Sequence, residues 1–146
     1  VEHDGVWARV IAGECLGVTS SIDTVIPISL IHVKMEEGAV LNQTIASGLN
    51  GMIYVFRGSI RVNDQLSVRK QPMPFGIGIK QQVSDGELAL LSDGETVEIT
   101  CDSPCDLLIL AGPEIDEPIA RYGPFVMNTR EEIHQAVIDY QNGTFA

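Results

Sequence analysis

A change of hydrophobic period near residue 115 limits the folds open to this chain. Before it, short segments rich in β-branched, aromatic or Leu residues recur, each bounded by Gly, Pro, Asn or Asp. Residues 6–12, 28–35, 52–57, 59–62, 87–91, 97–101 and 107–111 are the expected strands. Helices do not alternate with them, so a parallel sheet is not expected. After it, Thr129 and Glu132 form a capping box, and Ile133, Ala136, Val137 and Tyr140 follow at helical spacing toward Gly143. The pattern predicts an all-β barrel or sandwich with one C-terminal α-helix. At 146 residues, such a domain buries about 68–70% of its unfolded surface and needs no disulfide or structural metal to fold.

Alternation gives an expected inside. In 28–35, Ile31, Val33 and Met35 share a face opposite Leu30, His32 and Lys34, and burying Lys34 would be costly. In 52–57, the same argument applied to Arg57 turns Met52, Tyr54 and Phe56 inward and Ile53 and Val55 outward. Ile31, Val33, Met35, Met52, Tyr54 and Phe56 are therefore expected to line the barrel interior, as packed core or as a candidate small-molecule pocket. Ser84-Asp85-Gly86-Glu87 recurs as Ser92-Asp93-Gly94-Glu95, which reads as a tight turn at each end of a short strand. A calcium loop would need more oxygen ligands at fixed spacing.

The net charge of −11 and a pI of about 4.5 argue against direct binding to nucleic acid or to anionic membranes. No apolar run approaches the length of a membrane span. Residues 81–120 hold ten acids and no Lys or Arg, while Arg57, Arg61, Arg69, Lys70 and Lys80 cluster just before them. That acidic stretch reads as a solvated surface or a docking face. Cys15, Cys101 and Cys105 are too few and too odd for a disulfide framework, and they point to a reducing compartment. The expected location is the cytoplasm, with the nucleus also open in a eukaryote. Cys101-Asp-Ser-Pro-Cys105 is expected to span a hairpin turn that draws the two sulfurs together, as a reduced pair or a redox couple. The chain starts at Val1 without Met and shows no signal or transit pattern, which fits a processed, trimmed or excised chain.

Catalytic signals are weak. His3, His32 and His134 form no close-spaced pair, so each is expected at the surface rather than on a metal. No Gly-x-Ser-x-Gly elbow occurs, and Gly76-Ile77-Gly78 lacks the strand–loop–helix context of a phosphate cradle.

The run Gly123-Pro124-Phe125-Val126-Met127-Asn128-Thr129, with Glu117 to Tyr122 before it and Glu131 to Gly143 after it, resembles the ending of pirin-family proteins. Val10 to Glu14 with Gly17, and Gly51 to Gly58, resemble the same family's C-terminal half. Pirins are bicupins. The resemblance implies that residues 1–146 are one C-terminal-type cupin domain, a double-stranded β-helix over about 1–116 with a C-terminal extension and helix over 117–146. It implies iron only in an N-terminal half, on three histidines and a glutamate for which this chain has no counterpart. Laid on a metal-binding cupin, the ligand positions fall roughly on Thr44, Ala46 and Asn50, none of them a good iron ligand. No catalytic or metal residue is therefore assigned, and no cofactor is expected in this chain.

The resemblance also makes Tyr122, Phe125, Met127, Ile133, Val137 and Tyr140 a candidate surface toward an N-terminal cupin half or a second copy, unless they cover this barrel's own open side. Three functions remain open. The first is a non-catalytic module beside a metal-bearing cupin half. The second is part of an iron-dependent quercetin 2,3-dioxygenase. The third is a protein-binding coregulator or small-molecule-binding module.

Overall fold

β-Branched and aromatic residues on a period of two make the strands of this chain, and their register makes the sheet. The structure, a computed structural model, describes residues 1–62, 81–91 and 94–145. The Gly76–Gly78 bend, the bases Arg69, Lys70 and Lys80, and the Ser92-Asp93 start of the second repeat lie outside those residues. In chain order the strands are β1 (Glu2–His3), β2 (Val6–Ala12), β3 (Glu14–Cys15), β4 (Val18–Thr19), β5 (Ser29–Met35), β6 (Val40–Thr44), β7 (Asn50–Val62), β8 (Gln82–Ser84), β9 (Leu88–Leu90), β10 (Thr96–Gly112), β11 (Ala120–Tyr122) and β12 (Phe125–Met127). One helix, α1 (Arg130–Asn142), follows. The chain divides into two compact units, Val1–Glu114 and Ile115–Ala146.

In the first unit, an eight-stranded antiparallel sheet runs β1-β2-β5-β10-β7-β8, with β6 also paired to β10 and β9 to β7. β7 and β10 are long enough to serve different neighbours with their two halves. Thr96 to Thr100 of β10 pair with β6, while Cys105 to Ala111 pair with β5. Between these halves the β7–β10 register shifts at Cys101/Ser103, Ser103/Asp106 and Asp106/Leu107. Such bulges bend a strand pair and re-aim its side chains.

Gly58 lies at this bend with φ +79, and a Cβ there would overlap the Pro104 carbonyl oxygen and sit 2.9 Å from the Cys105 Cα. Only glycine combines that dihedral with that approach. The expected strands 52–57 and 59–62 are thus one bent strand, as are 97–101 and 107–111. Cys101 to Cys105 is no hairpin turn. It is bulged strand, where the exposed Pro104 costs the ladder little.

Ile31, Val33, Ile53, Val55, Leu107 and Ile109 anchor the core of this unit, each fully buried. Burying an aliphatic side chain of this size contributes about 1.5–3 kcal/mol.

In the second unit, β11 and β12 form a hairpin before α1. The Thr129 Oγ1 accepts from the Glu132 N–H at 3.1 Å, and the Glu132 carboxylate accepts from the Thr129 N–H at 2.9 Å. The capping box is complete, and Gly143 ends the helix in the left-handed region at φ 71. Phe125 meets the rings of Tyr140 and Phe145 edge-on at 5.8 and 5.6 Å. Among the described residues, no helix is long and apolar enough to cross a membrane.

Candidate functional site

The bend at Gly58 decides which side of β7 faces the core. Gly51, Ile53 and Val55 point inward, and after the bend Ile60 and Val62 do so. Tyr54 and Phe56 are 36% and 41% exposed, and Met52 is half-buried. This reverses the expected orientation of Met52, Tyr54 and Phe56. Arg57 shares its parity with Ile53 and Val55, but the register shift turns it outward, so it does not report on their side of the strand. Ile31, Val33 and Met35 are buried as expected and belong to the hydrophobic core. The six residues therefore do not line one interior pocket.

Strand register places the outward side chains in three rows. The first runs Glu2, Trp7, Lys34, Asp106 and Arg57 across β1, β2, β5, β10 and β7. The second runs Arg9, His32, Leu108, Tyr54 and Leu88. The third runs Leu30, Leu110, Met52 and Leu90. The face grades from charged and aromatic at one end to aliphatic at the other.

Asp106 anchors the charged end. It is 5% exposed, and a buried carboxylate is costly unless it is paired. Its Oδ2 accepts from the Arg57 Nε at 2.8 Å, while its Oδ1 lies 3.3 Å from the His32 Nε2 and 3.8 Å from the Lys34 Nζ. His32 is further held by Trp7, edge-on at 5.3 Å, and by Phe56 at 5.6 Å. Lys34 and Arg9 approach the Trp7 ring at 5.5 and 5.9 Å, within cation–π range. Phe56 stacks on Tyr54 at 6.4 Å. The cluster fixes Arg57 and the rings while leaving much of them accessible. Sequence reasoning placed His32 and Lys34 outward correctly. It missed Asp106 as their partner, because nothing local in the sequence sets β5, β7 and β10 in register.

The inward side of the same bulge holds two thiols. The Cys101 and Cys105 Sγ atoms lie 3.4 Å apart, both 1% exposed, and the Cys101 Sγ is 2.9 Å from the Ser103 carbonyl oxygen. Burial, then the hydrogen bond from Cys101, pushes the Cys105 thiol up to about 12. Burial also raises the Cys15 thiol. Neither is activated as a nucleophile.

The donor set of the described residues does not fit an iron centre. Among the described residues, no group of three His, Cys, Asp or Glu side chains could hold a metal ion. Thr44, Ala46 and Asn50 are all exposed and do not converge on the interior. The polar side chain that β6 turns inward is Gln43, whose amide donates to the carbonyl oxygens of Glu14 and Thr44 at 2.9 Å each. His3 lies beside Asp4 near the N-terminus, and His134 is exposed on α1. His32 and Asp106 do meet, but Arg57 and Lys34 already neutralise that carboxylate.

In the second unit, Tyr122 and Tyr140 are each 68% exposed, and Phe125, Met127 and Val137 are half-buried. Ile133 is buried within this chain, so of the six candidate surface residues it is not free for a partner.

The antiparallel sheet bent at paired bulges and the capped helix after it belong to a cupin-type fold. The pirin C-terminal cupin domain family matches residues 30–146, and the chain belongs to that family. It is 37% identical over 142 residues to a Vibrio cholerae protein named "Putative quercetin 2,3-dioxygenase", covering 94% of this chain and 45% of that one. It is 32% identical over 141 residues to human pirin, covering 95% and 44%. A solved quercetin 2,3-dioxygenase from Acinetobacter baumannii superposes with a TM-score of 0.78 at 28% identity, covering 99% of this chain and 46% of that one. The chain thus spans less than half the length of these relatives and matches the C-terminal half of two-domain pirins.

Proposed function

We propose that this domain is a structural and docking module, the C-terminal half of a two-cupin pirin-type protein, and that iron is held by the other half. The observation that carries this reading is the chemistry of the interior. The inward side chains of β5, β6, β7 and β10 are overwhelmingly aliphatic, and the Gln43 amide is engaged with backbone carbonyls. Cytoplasmic placement accompanies the proposal and rests on the odd count of three cysteines.

The test is elemental analysis of the 146-residue chain after anaerobic Fe(II) loading and desalting. Near-zero iron per chain is expected. Close to one iron per chain would overturn the reading and turn attention to the three histidines.

A second reading concerns the complete protein. Relatives that cover nearly all of this chain carry the name quercetin 2,3-dioxygenase. On that ground we assign flavonol cleavage to the two-cupin protein, with this domain supporting the half that performs it.

A further inference from the structure

We infer that Cys101 and Cys105 form an oxidation site, a dithiol that a hydroperoxide closes to an internal disulfide, stapling the bulge of β10. The site is independent of where iron is held.

Three observations carry it. First, the two sulfurs meet only because the strand is bent. Residues four apart in a regular strand lie about 13 Å apart, well beyond the Cα separation of about 4.4–6.8 Å that a disulfide allows. Here the register of β10 against β7 shifts three times between Cys101 and Leu107, and the two Sγ atoms stand 3.4 Å apart. The sulfurs need approach by only about 1.4 Å more to bond.

Second, each thiol has the other as its reactive neighbour. The Cys101 Sγ donates to the Cys105 Sγ, and its other polar contacts are the carbonyl oxygens of Ser103 at 2.9 Å and Met35 at 3.5 Å. Carbonyl oxygens do not reduce a sulfenic acid, whereas a thiol does. Both sulfurs are buried, which screens them from the thiols of a second chain. The remaining cysteine, Cys15, is a free buried thiol on β3 and serves as an internal control.

Third, a small oxidant has a way in. A cavity of about 230 Å³ lined by Trp7, Lys34, Arg57, Pro104 and Cys105, among others, brings solvent up to the bulge. Hydrogen peroxide is scarcely larger than water. It oxidises one thiol to a sulfenic acid and releases one water. The second sulfur then attacks the sulfenic sulfur, the S–S bond forms as the S–O bond breaks, and the oxygen leaves with the thiol proton as a second water. The two thiols give up two electrons and two hydrogens, and one peroxide becomes two waters. Burial holds the Cys105 proton up to about 12, so the first step is slow and the site answers to sustained oxidant rather than to a brief pulse.

Peroxide treatment of the folded 146-residue chain, with a metal chelator present, tests the proposal. The chain is then unfolded, alkylated, digested with trypsin and weighed by mass spectrometry. Lys80 and Arg121 bound one peptide, residues 81–121, that holds both cysteines, while Cys15 falls on residues 10–34. The 81–121 peptide is expected to lose about 2 Da and to take up no alkyl groups, and this form should exceed any sulfinic or sulfonic form at least about tenfold. Dithiothreitol before alkylation should restore two alkyl groups. The Cys15 peptide should stay alkylated, and the circular dichroism of the oxidised chain should stay native. A sulfinic acid as the main product overturns the proposal, as does a bond to Cys15 or to a second chain. Two unreacted thiols after a dose that fully oxidises the urea-unfolded chain overturn it too, and so does a bond that forms only once the native circular dichroism is lost.

Discussion

Asp106 shows how one residue can tie neighbouring strands together. Its carboxylate is buried, so the charge must be compensated within the protein, and Arg57 and Lys34 do so from two neighbouring strands, with His32 in contact beside them. Arg57→Ala removes the 2.8 Å contact and leaves a buried acid with weaker partners. Chemical denaturation should show a loss of about 1–3 kcal/mol, the usual cost of stripping a partner from a buried polar group. Cys105, on the opposite side of the same bulge, makes a pH-dependent contribution. The folded state holds its proton up to about 12, whereas an unperturbed thiol releases it near 9.0. Below pH 9 both states are protonated and the contribution is whole. As pH rises from 9 toward 12 the unfolded state binds fewer protons, so stability falls, by up to about 1.4 kcal/mol per pH unit. Urea unfolding of wild type and Cys105→Ala in reducing buffer at pH 8, 9.5 and 10.5 isolates this slope. Parallel lines for the two proteins would show that the thiol does not titrate between states.

The bend in β7 and β10 is an element-scale device, and Gly58 is its hinge point. Gly58→Ala adds a methyl group against the Pro104 carbonyl oxygen at a positive φ, and both effects act in the folded state only. A loss of about 2–4 kcal/mol is expected from strain and overpacking together, read by thermal and urea unfolding. A loss below about 0.5 kcal/mol would show that the strand pair relaxes around the methyl group. The same bend explains what sequence reading reached and what it did not. β2 and β5 were legible because their alternation is uninterrupted and Lys34 reports the solvent side. α1 was legible because its caps are local, Thr129 with Glu132 at one end and Gly143 at the other. β7 was misread because Arg57 stands just before the bulge, out of phase with Ile53 and Val55. β10 was read as two strands because Pro104 mimics a turn, although bulged strand accommodates it.

At the scale of the molecule, the outer sheet face was illegible for a different reason. Its rows join residues as far apart in sequence as Trp7, Lys34, Asp106 and Arg57, so only the sheet register brings them together. The pirin resemblance left the C-terminal extension open either as a partner surface or as a cover for this barrel, and Ile133 there is buried within this chain. The division of labour proposed between the halves has a direct consequence for chemistry. Flavonol cleavage by an iron dioxygenase requires side-chain donors that hold the metal with open positions. The inward positions of β5, β7 and β10 offer Ile, Val, Leu, Ala, Met and two buried Cys, and β6 adds an engaged amide. Quercetin mixed with the 146-residue chain and excess Fe(II) in air should therefore lose its absorbance at the rate of an equal Fe(II) blank. The full-length two-cupin polypeptide should exceed that blank, and substitution of Gln43 by Leu within it should leave the excess unchanged, since the amide is engaged with backbone carbonyls of this domain. Turnover by the isolated chain, or loss of activity on the Gln43 substitution with the fold intact, would place part of the chemistry inside this domain.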